Sequence, residues 1–171
     1  MKKQLTRLLR PKLFVKSLMD ISLDDLISQG TKGIVVDLDN TLTIWESEEL
    51  PPETVGWIDL VKKRGLKVCL VSNNKGERIK RIAAILDIPF VEKASKPRRR
   101  AFRLGMEALG TNPWETAVIG DQIFTDVLGG NRLKLYTILV VPMSTYEFTG
   151  TRFMRILERA VLNRIRRSEE I

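Results

Sequence analysis

Five short apolar runs recur along this 171-residue chain: Gly33 to Asp37, Lys67 to Val71, Pro89 to Val91, Ala117 to Gly120 and Thr137 to Val141. They are continuous in Val, Ile and Leu where a half-exposed strand would alternate with polar residues. Strands written this way are covered on both faces, which predicts a parallel sheet. Helical periodicities fit between them. Pro52 to Arg64 begins with proline in its first turn and stops at Gly65. Glu77 to Leu86 carries Ile79, Ile82, Ala83 and Leu86 on one stripe. Arg98 to Leu109 ends at Gly110, and Asp121 to Leu128 ends at Gly129-Gly130-Asn131. Thr111-Asn112-Pro113-Trp114 reads as a capped single turn. Strand alternating with helix gives an α/β doubly wound sheet flanked by helices. In such sheets, ligands bind outside the carboxyl ends of the strands.

The residues at those ends are chemically unusual. The first strand runs into Asp37-Leu38-Asp39-Asn40-Thr41, two carboxylates leaving a buried strand at i and i+2. Like charges desolvated together raise each other's pKa, and a divalent cation with oxygen ligands relieves this. A bare D-x-D is equally a pair of turn or cap aspartates. The second strand ends in Ser72-Asn73-Asn74, a hydroxyl and N–H groups suited to a phosphate oxygen, or an ordinary N-cap. Lys96-Pro97 follows the third strand, and alone means little. Gly120-Asp121 with Asp126 follows the fourth, or is a cap with a first-turn acid. Taken together and in this order, they form a constellation for phosphoryl transfer.

Composition narrows the chemistry further. The chain has no histidine and one cysteine, Cys69. That excludes Ser-His-Asp and Cys-His nucleophilic catalysis, His- or Cys-based zinc sites and an internal disulfide framework. Catalysis must therefore use carboxylates, Lys, Arg, hydroxyls and backbone dipoles. The net charge is +8, which favours anionic partners. Residues 1–16 contribute Lys2, Lys3, Arg7, Arg10, Lys12 and Lys16 without an acid, and further basic clusters lie at 96–103 and 152–167. Arg7, Arg10, Pro11, Lys12 and Lys16 interrupt any secretory leader, and no stretch approaches a membrane span. The expectation is a cytoplasmic protein, not integral to a membrane.

The ordered motifs D-x-D-x-T, Ser, Lys and G-D-x(4)-D resemble those of the haloacid dehalogenase (HAD) phosphatases across roughly residues 30–142. The resemblance implies the HAD-like Rossmannoid core and a set of roles. Asp37 would be the nucleophile that forms an aspartyl-phosphate, and Asp39 the general acid and then base. Ser72, the backbone N–H of Asn73 and Lys96 would hold the phosphoryl oxygens. Mg2+ would bind Asp37, the backbone carbonyl of Asp39 and Asp121, with Asp126 positioning ligands or water. The finer wording, Lys32-Gly33, Asp37 to Leu42, Ser72-Asn73-Asn74, Lys96-Pro97 and Gly120 to Arg132, resembles the YqeG family of capless (type IIIA) HAD phosphatases. Leu9, Pro11, Val15, Ser17 and Asp20 in the lead-in are similar too. That family is related to mitochondrial and plastid phosphatidylglycerophosphatases. The resemblance therefore implies hydrolysis of phosphatidylglycerophosphate to phosphatidylglycerol.

Spacing bears on substrate access. Only 35 residues separate Asp37 from Ser72, and 24 separate Ser72 from Lys96. Each gap holds a helix and a strand with no room for a cap domain. An open mouth needs an oligomer or a large partner to exclude water, and suits phosphates on macromolecules or at a membrane surface. The expected layout is one domain over 1–171, with a core at about 30–142, a basic amphipathic arm at 1–21 and a basic helix at about 150–168. Leu5, Leu8, Leu9, Leu13, Phe14, Leu18 and Ile21 in the arm, and Phe153, Ile156, Leu157, Ala160, Val161 and Ile165 in the helix, form apolar stripes beside the charges. Such helices read as peripheral membrane elements at the inner face, or as elements packed on the sheet. Two other readings stay open: a phosphatase for a soluble nucleotide, sugar phosphate or nucleic-acid end, and a non-enzymatic RNA- or ribosome-binding protein.

Overall fold

The computed structural model describes residues 7–144 and 149–167. Six strands form one parallel sheet: β1 (Leu13–Val15), β2 (Gly33–Val36), β3 (Lys67–Val71), β4 (Phe90–Val91), β5 (Thr116–Gly120) and β6 (Tyr136–Val140). Their spatial order is β1-β6-β5-β2-β3-β4. The order in which the strands are laid down reverses between β2 and β5, whose parallel register pairs Ile34 with Ala117 and Val36 with Ile119. This is the doubly wound topology expected from the apolar runs.

The helices are α1 (Leu23–Ser28), α2 (Pro52–Lys63), α3 (Glu77–Leu86), α4 (Arg99–Leu109), α5 (Leu128–Asn131) and α6 (Thr149–Arg167). Alternate strand residues feed two cores. Ile34, Val36, Val68, Leu70 and Ile119 pack with Trp57, Ile58 and Val61 of α2 and with Ile79 and Ile82 of α3. Val35, Cys69, Val71 and Val118 pack with Phe102, Met106 and Leu109 of α4 on the other side. Both faces are thus buried, the physical reason the strands read as unbroken apolar runs. The gap from β2 to β3 holds a flap and α2, and among the described residues no cap domain is inserted.

One region follows the packed alternative of the sequence reading, and one departs from that reading. Leu13, Phe14 and Val15 are an edge strand paired with β6, so Phe14 is 40% exposed while its neighbours turn inward. Leu9, Leu18 and Ile21 are buried, and α1, capped by Ser22, fills the chain to β2. Much of the expected arm is therefore part of the packed fold. Gly129 and Gly130 do not stop their helix but lie within it. A Cβ on Gly129 would come 2.1 Å from the Phe102 ring, so glycine here permits close approach to α4. Lys2, Lys3 and Leu5 lie outside the described residues, as does the side chain of Phe153.

Candidate active site

The carboxyl edge of β2 turns at Asp37 into a tight loop. Leu38 and Leu42 are fully buried, and Asn40 takes a φ of 60° with its N–H donating to Thr43 O at 2.7 Å. Those two leucine anchors send Asp37 and Asp39 in different directions. Asp37 points to the floor of the cleft and is 9% exposed. Asp39 faces the rim, where its Oδ2 accepts from Asn74 Nδ2 at 2.7 Å and its Oδ1 from Arg78 Nη2 at 2.6 Å.

Lys96 reaches the floor from the loop after β4. Asn73 holds that loop at both ends of one residue: its Oδ1 accepts from Lys96 N at 2.6 Å and its Nδ2 donates to Lys96 O at 3.3 Å. The Lys96 ammonium then donates to Asp37 Oδ1 at 2.5 Å and Asp126 Oδ1 at 2.7 Å. Ser72, at the end of β3, is buried, and its Oγ accepts from Asn74 N at 3.1 Å.

Asp121 and Asp126 come from the segment beyond β5. Here the chain makes a wide π-helical turn, Ile123–Val127, before α5. A Cβ on Gly120 would lie 2.3 Å from Asp126 Cγ, so glycine at that position lets the carboxyl lie against the strand end. Thr125 Oγ1 donates to Asp126 Oδ2 at 3.1 Å. Ligand oxygens of Asp37, Asp121 and Asp126 all lie within 4.8 Å of one another.

Three buried carboxylates thus face one buried ammonium. Burial pushes the Asp37 carboxyl up to about 7; Lys96 opposes this, while Asp126 and Asp39 add to it. Burial alone would lower the Lys96 ammonium, but Asp126 and Asp37 outweigh it and hold the group above its ordinary value. The excess negative charge fits a hard divalent cation. Octahedral Mg2+ takes oxygen ligands at about 2.0–2.1 Å, so ligands across it lie about 4 Å apart, close to the spread seen here.

The cleft above this floor has a volume of about 680 Å³, with Trp45 and Glu46 of the flap and Lys75, Arg78 and Lys93 along its sides. The structure brings Asp37, Lys96, Asp121 and Asp126 together as the sequence suggested, with Ser72 and Asn73 lining the same cleft. The Asp39 carboxylate stays outside the cluster. Sequence reasoning missed Arg78 and Glu158, and named Asn74 without its contact to Asp39. Arg78 and Asn74 hold Asp39, and a cation in the first turn of α3, where the helix dipole disfavours it, was the available hint. Glu158 of α6 is 5% exposed, and its Oε1 accepts from Ile123 N at 2.6 Å and Phe124 N at 3.2 Å, closing the open end of the π-helical turn. Its spacing from Val161 and Ile165 put it on the inward face.

Fold and site together define a haloacid dehalogenase-like hydrolase, and the model of that family matches residues 12–134. Fold similarity extends to the cobalt-bound deoxy-D-mannose-octulosonate 8-phosphate phosphatase (YrbI) of Haemophilus influenzae, with a TM-score of 0.54, 19% identity, and coverage of 79% of this chain and 89% of that one. The chain is 41% identical over 161 residues to "Probable phosphatase YqeG" of Bacillus subtilis, covering 94% of each, and it belongs to that family of HAD-type phosphatases. It is also 32% identical to "Phosphatidylglycerophosphate phosphatase 1, chloroplastic/mitochondrial" of Arabidopsis thaliana, over 90% of this chain but 47% of that protein's length.

Proposed function

We propose that this phosphatase is a Mg2+-dependent phosphomonoester hydrolase that converts phosphatidylglycerophosphate to phosphatidylglycerol through an aspartyl-phosphate. The observation that carries the reading is the Lys96 ammonium shared between Asp37 and Asp126 beside Asp121, at the floor of an uncapped cleft. A carboxylate oxygen of Asp37 attacks phosphorus, and the bond to the leaving oxygen breaks as Asp39 supplies its proton. Asp39 then takes a proton from water, the water oxygen attacks phosphorus, and the bond to Asp37 breaks to release inorganic phosphate. Ser72 Oγ, Asn73 N–H and Lys96 hold the phosphoryl oxygens throughout, and Lys96 offsets their charge as the anionic nucleophile approaches. Asp37, Asp121 and Asp126, with the Asp39 carbonyl, would hold Mg2+, which supplies further neutralisation of the phosphoryl dianion.

The lipid substrate is supported by the similarity to a plant phosphatidylglycerophosphate phosphatase and by a cleft open enough for a headgroup. The same reading assigns a peripheral position at the inner membrane face. Among the described residues no helix is long and apolar enough to cross a membrane. Ile156 and Leu157 of α6 are 64% and 41% exposed beside Arg159, an apolar and basic surface suited to an anionic leaflet. The test is phosphate release from phosphatidylglycerophosphate beside a panel of nucleotide, sugar and nucleic-acid phosphates, with Mg2+ and with chelator. Preference for the lipid, lost on chelation, is the expected result. Faster turnover of a soluble phosphate would replace the substrate assignment while leaving the phosphatase intact.

A further inference from the structure

A second cavity, larger than the catalytic cleft at about 930 Å³, opens where residues 7–12, the start of α4 and the loop at 131–135 meet. Its lining includes Arg7, Arg10, Lys12, Arg99, Arg132 and Lys134, and among the described residues no carboxylate lines it. It shares no lining residue with the cleft around Asp37. In sequence these six cations belong to three separate stretches, so only folding assembles them.

The scaffold that gathers them is well tied. Asn131 Nδ2 donates to Leu8 O at 2.8 Å and to Arg10 O at 2.9 Å, and Lys12 N donates to Thr137 O at 2.8 Å. Leu9 is buried among Ile123, Val127 and Leu139, which anchors the segment bearing Arg7 and Arg10. The close approach of Gly129 to Phe102 sets α5 against α4, one turn from Arg99. The walls are therefore fixed by backbone hydrogen bonds and core contacts, and the six cationic residues are among those that line them.

Six cations around one concavity repel one another, and that repulsion is relieved by an anion of matching valence. Guanidinium groups bind phosphate oxygens in pairs of parallel hydrogen bonds, and a single phosphate engages two or three such side chains. We propose that this cavity is a second, non-catalytic site for a ligand carrying two or more phosphate groups. It has no carboxylate nucleophile or metal-binding acid, so it holds its ligand without cleaving it. The phosphates have two sources, a free polyphosphorylated metabolite or the headgroup of a phospholipid, and the chemistry of recognition is the same for both.

The test uses the full chain, with pyrophosphate and inorganic phosphate as probes, titrated calorimetrically in metal-free buffer at low and moderate salt. Wild type is compared with Lys12→Glu/Arg99→Glu; Arg132 is left intact because its Nη1 donates to Pro97 O beside the catalytic lysine. The expected result is tighter binding of pyrophosphate than of phosphate, weakening with salt, and a loss of about tenfold or more in the variant. Turnover of a small soluble phosphomonoester should be unchanged, which separates this site from the catalytic reading. The neutral pair Lys12→Gln/Arg99→Gln should lose less, and serves if the charge reversal does not fold. Equal pyrophosphate affinity in wild type and both variants would overturn the site. Equal affinity for phosphate and pyrophosphate would overturn the ligand class. Phosphatidylcholine vesicles with and without phosphatidylinositol phosphate assign the source: displacement of the chain from the anionic vesicles by pyrophosphate supports a headgroup, and vesicle binding indifferent to pyrophosphate supports a free metabolite. A single-stranded oligonucleotide that depends on Lys12 and Arg99 and displaces pyrophosphate would make the site one for nucleic acid and overturn the proposal.

Discussion

Asp37 and Asp39 are separated by one leucine, yet they occupy regions with opposite electrostatics. The floor around Asp37 is desolvated and holds three carboxylates against one ammonium. At the rim, Asp39 is held by the Arg78 guanidinium, the Asn74 side-chain amide and the Glu46 backbone N–H, with side chains at Arg78 and Asp39 still 15% and 14% exposed. Burial lifts the Asp37 carboxyl towards neutrality, and Lys96 only partly offsets it. The difference teaches that a D-x-D pair is not one feature doubled. Leu38, buried between the two, divides them into a desolvated group whose charge a shared ammonium only partly offsets and a rim group with partners of its own.

This contrast can be broken from either side. The largest effect is expected for Asp37→Asn, because an amide cannot form the acyl-phosphate. Turnover should drop on the order of 10⁶-fold, the scale seen when a covalent nucleophile is removed. Circular dichroism and melting should show an intact fold, since Asp126 remains with Lys96. Residual activity near wild type would remove Asp37 from the role of nucleophile.

Asp39→Asn should cost less, about 10²–10⁴-fold in kcat, the usual contribution of a general acid or base. Leaving groups of low pKa need no proton, so the first step should recover with such a substrate and the intermediate should accumulate. A burst of leaving group followed by slow phosphate release is the kinetic signature. Equal damage with good and poor leaving groups would mean that the rim carboxylate acts through its Arg78 pair and not as an acid.

The smallest effect concerns stability without metal. The Asp37 carboxyl titrates at about 7 in the folded chain against an ordinary value of 3.8. Between those values the folded state holds a proton that the unfolded state has released. Stability contributed by this group is therefore greatest at low pH and declines as pH rises through this window, levelling above it. Denaturant melts in chelator at several pH values should show wild type losing stability relative to Asp37→Asn across the window. Millimolar Mg2+ should flatten the difference by favouring the ionised form. Parallel pH profiles for the two proteins would contradict the burial argument.

Much of the fold was legible because its signals are local. The unbroken Val and Ile runs mark strands covered on both faces, and the stripe Ile79, Ile82, Ala83 and Leu86 is buried on α3. The Asn112 turn is also where its cap and proline indicate. At the site, Asp37, Ser72, Lys96, Asp121 and Asp126 stood out because each follows a strand, and parallel strands deliver their ends to one edge. The edge strand β1 was not legible. Leu13 to Val15 is too short to show a period of two, and Pro11 before it suits either state. The two glycines of α5 resemble a helix stop until Phe102 is packed against one of them.

By itself, then, the amino-acid sequence determined the parallel sheet and the set of groups that meet at its carboxyl edge, since strand burial and strand-end chemistry are written in contiguous residues. Only the tertiary structure decided which way each group faces. It set Asp39 on Arg78, closed the π-helical turn with Glu158 from a helix more than thirty residues away, and gathered cations from three stretches around one cavity. Those outcomes depend on close packing between elements distant along the chain, and no local pattern encodes the distances that such packing sets.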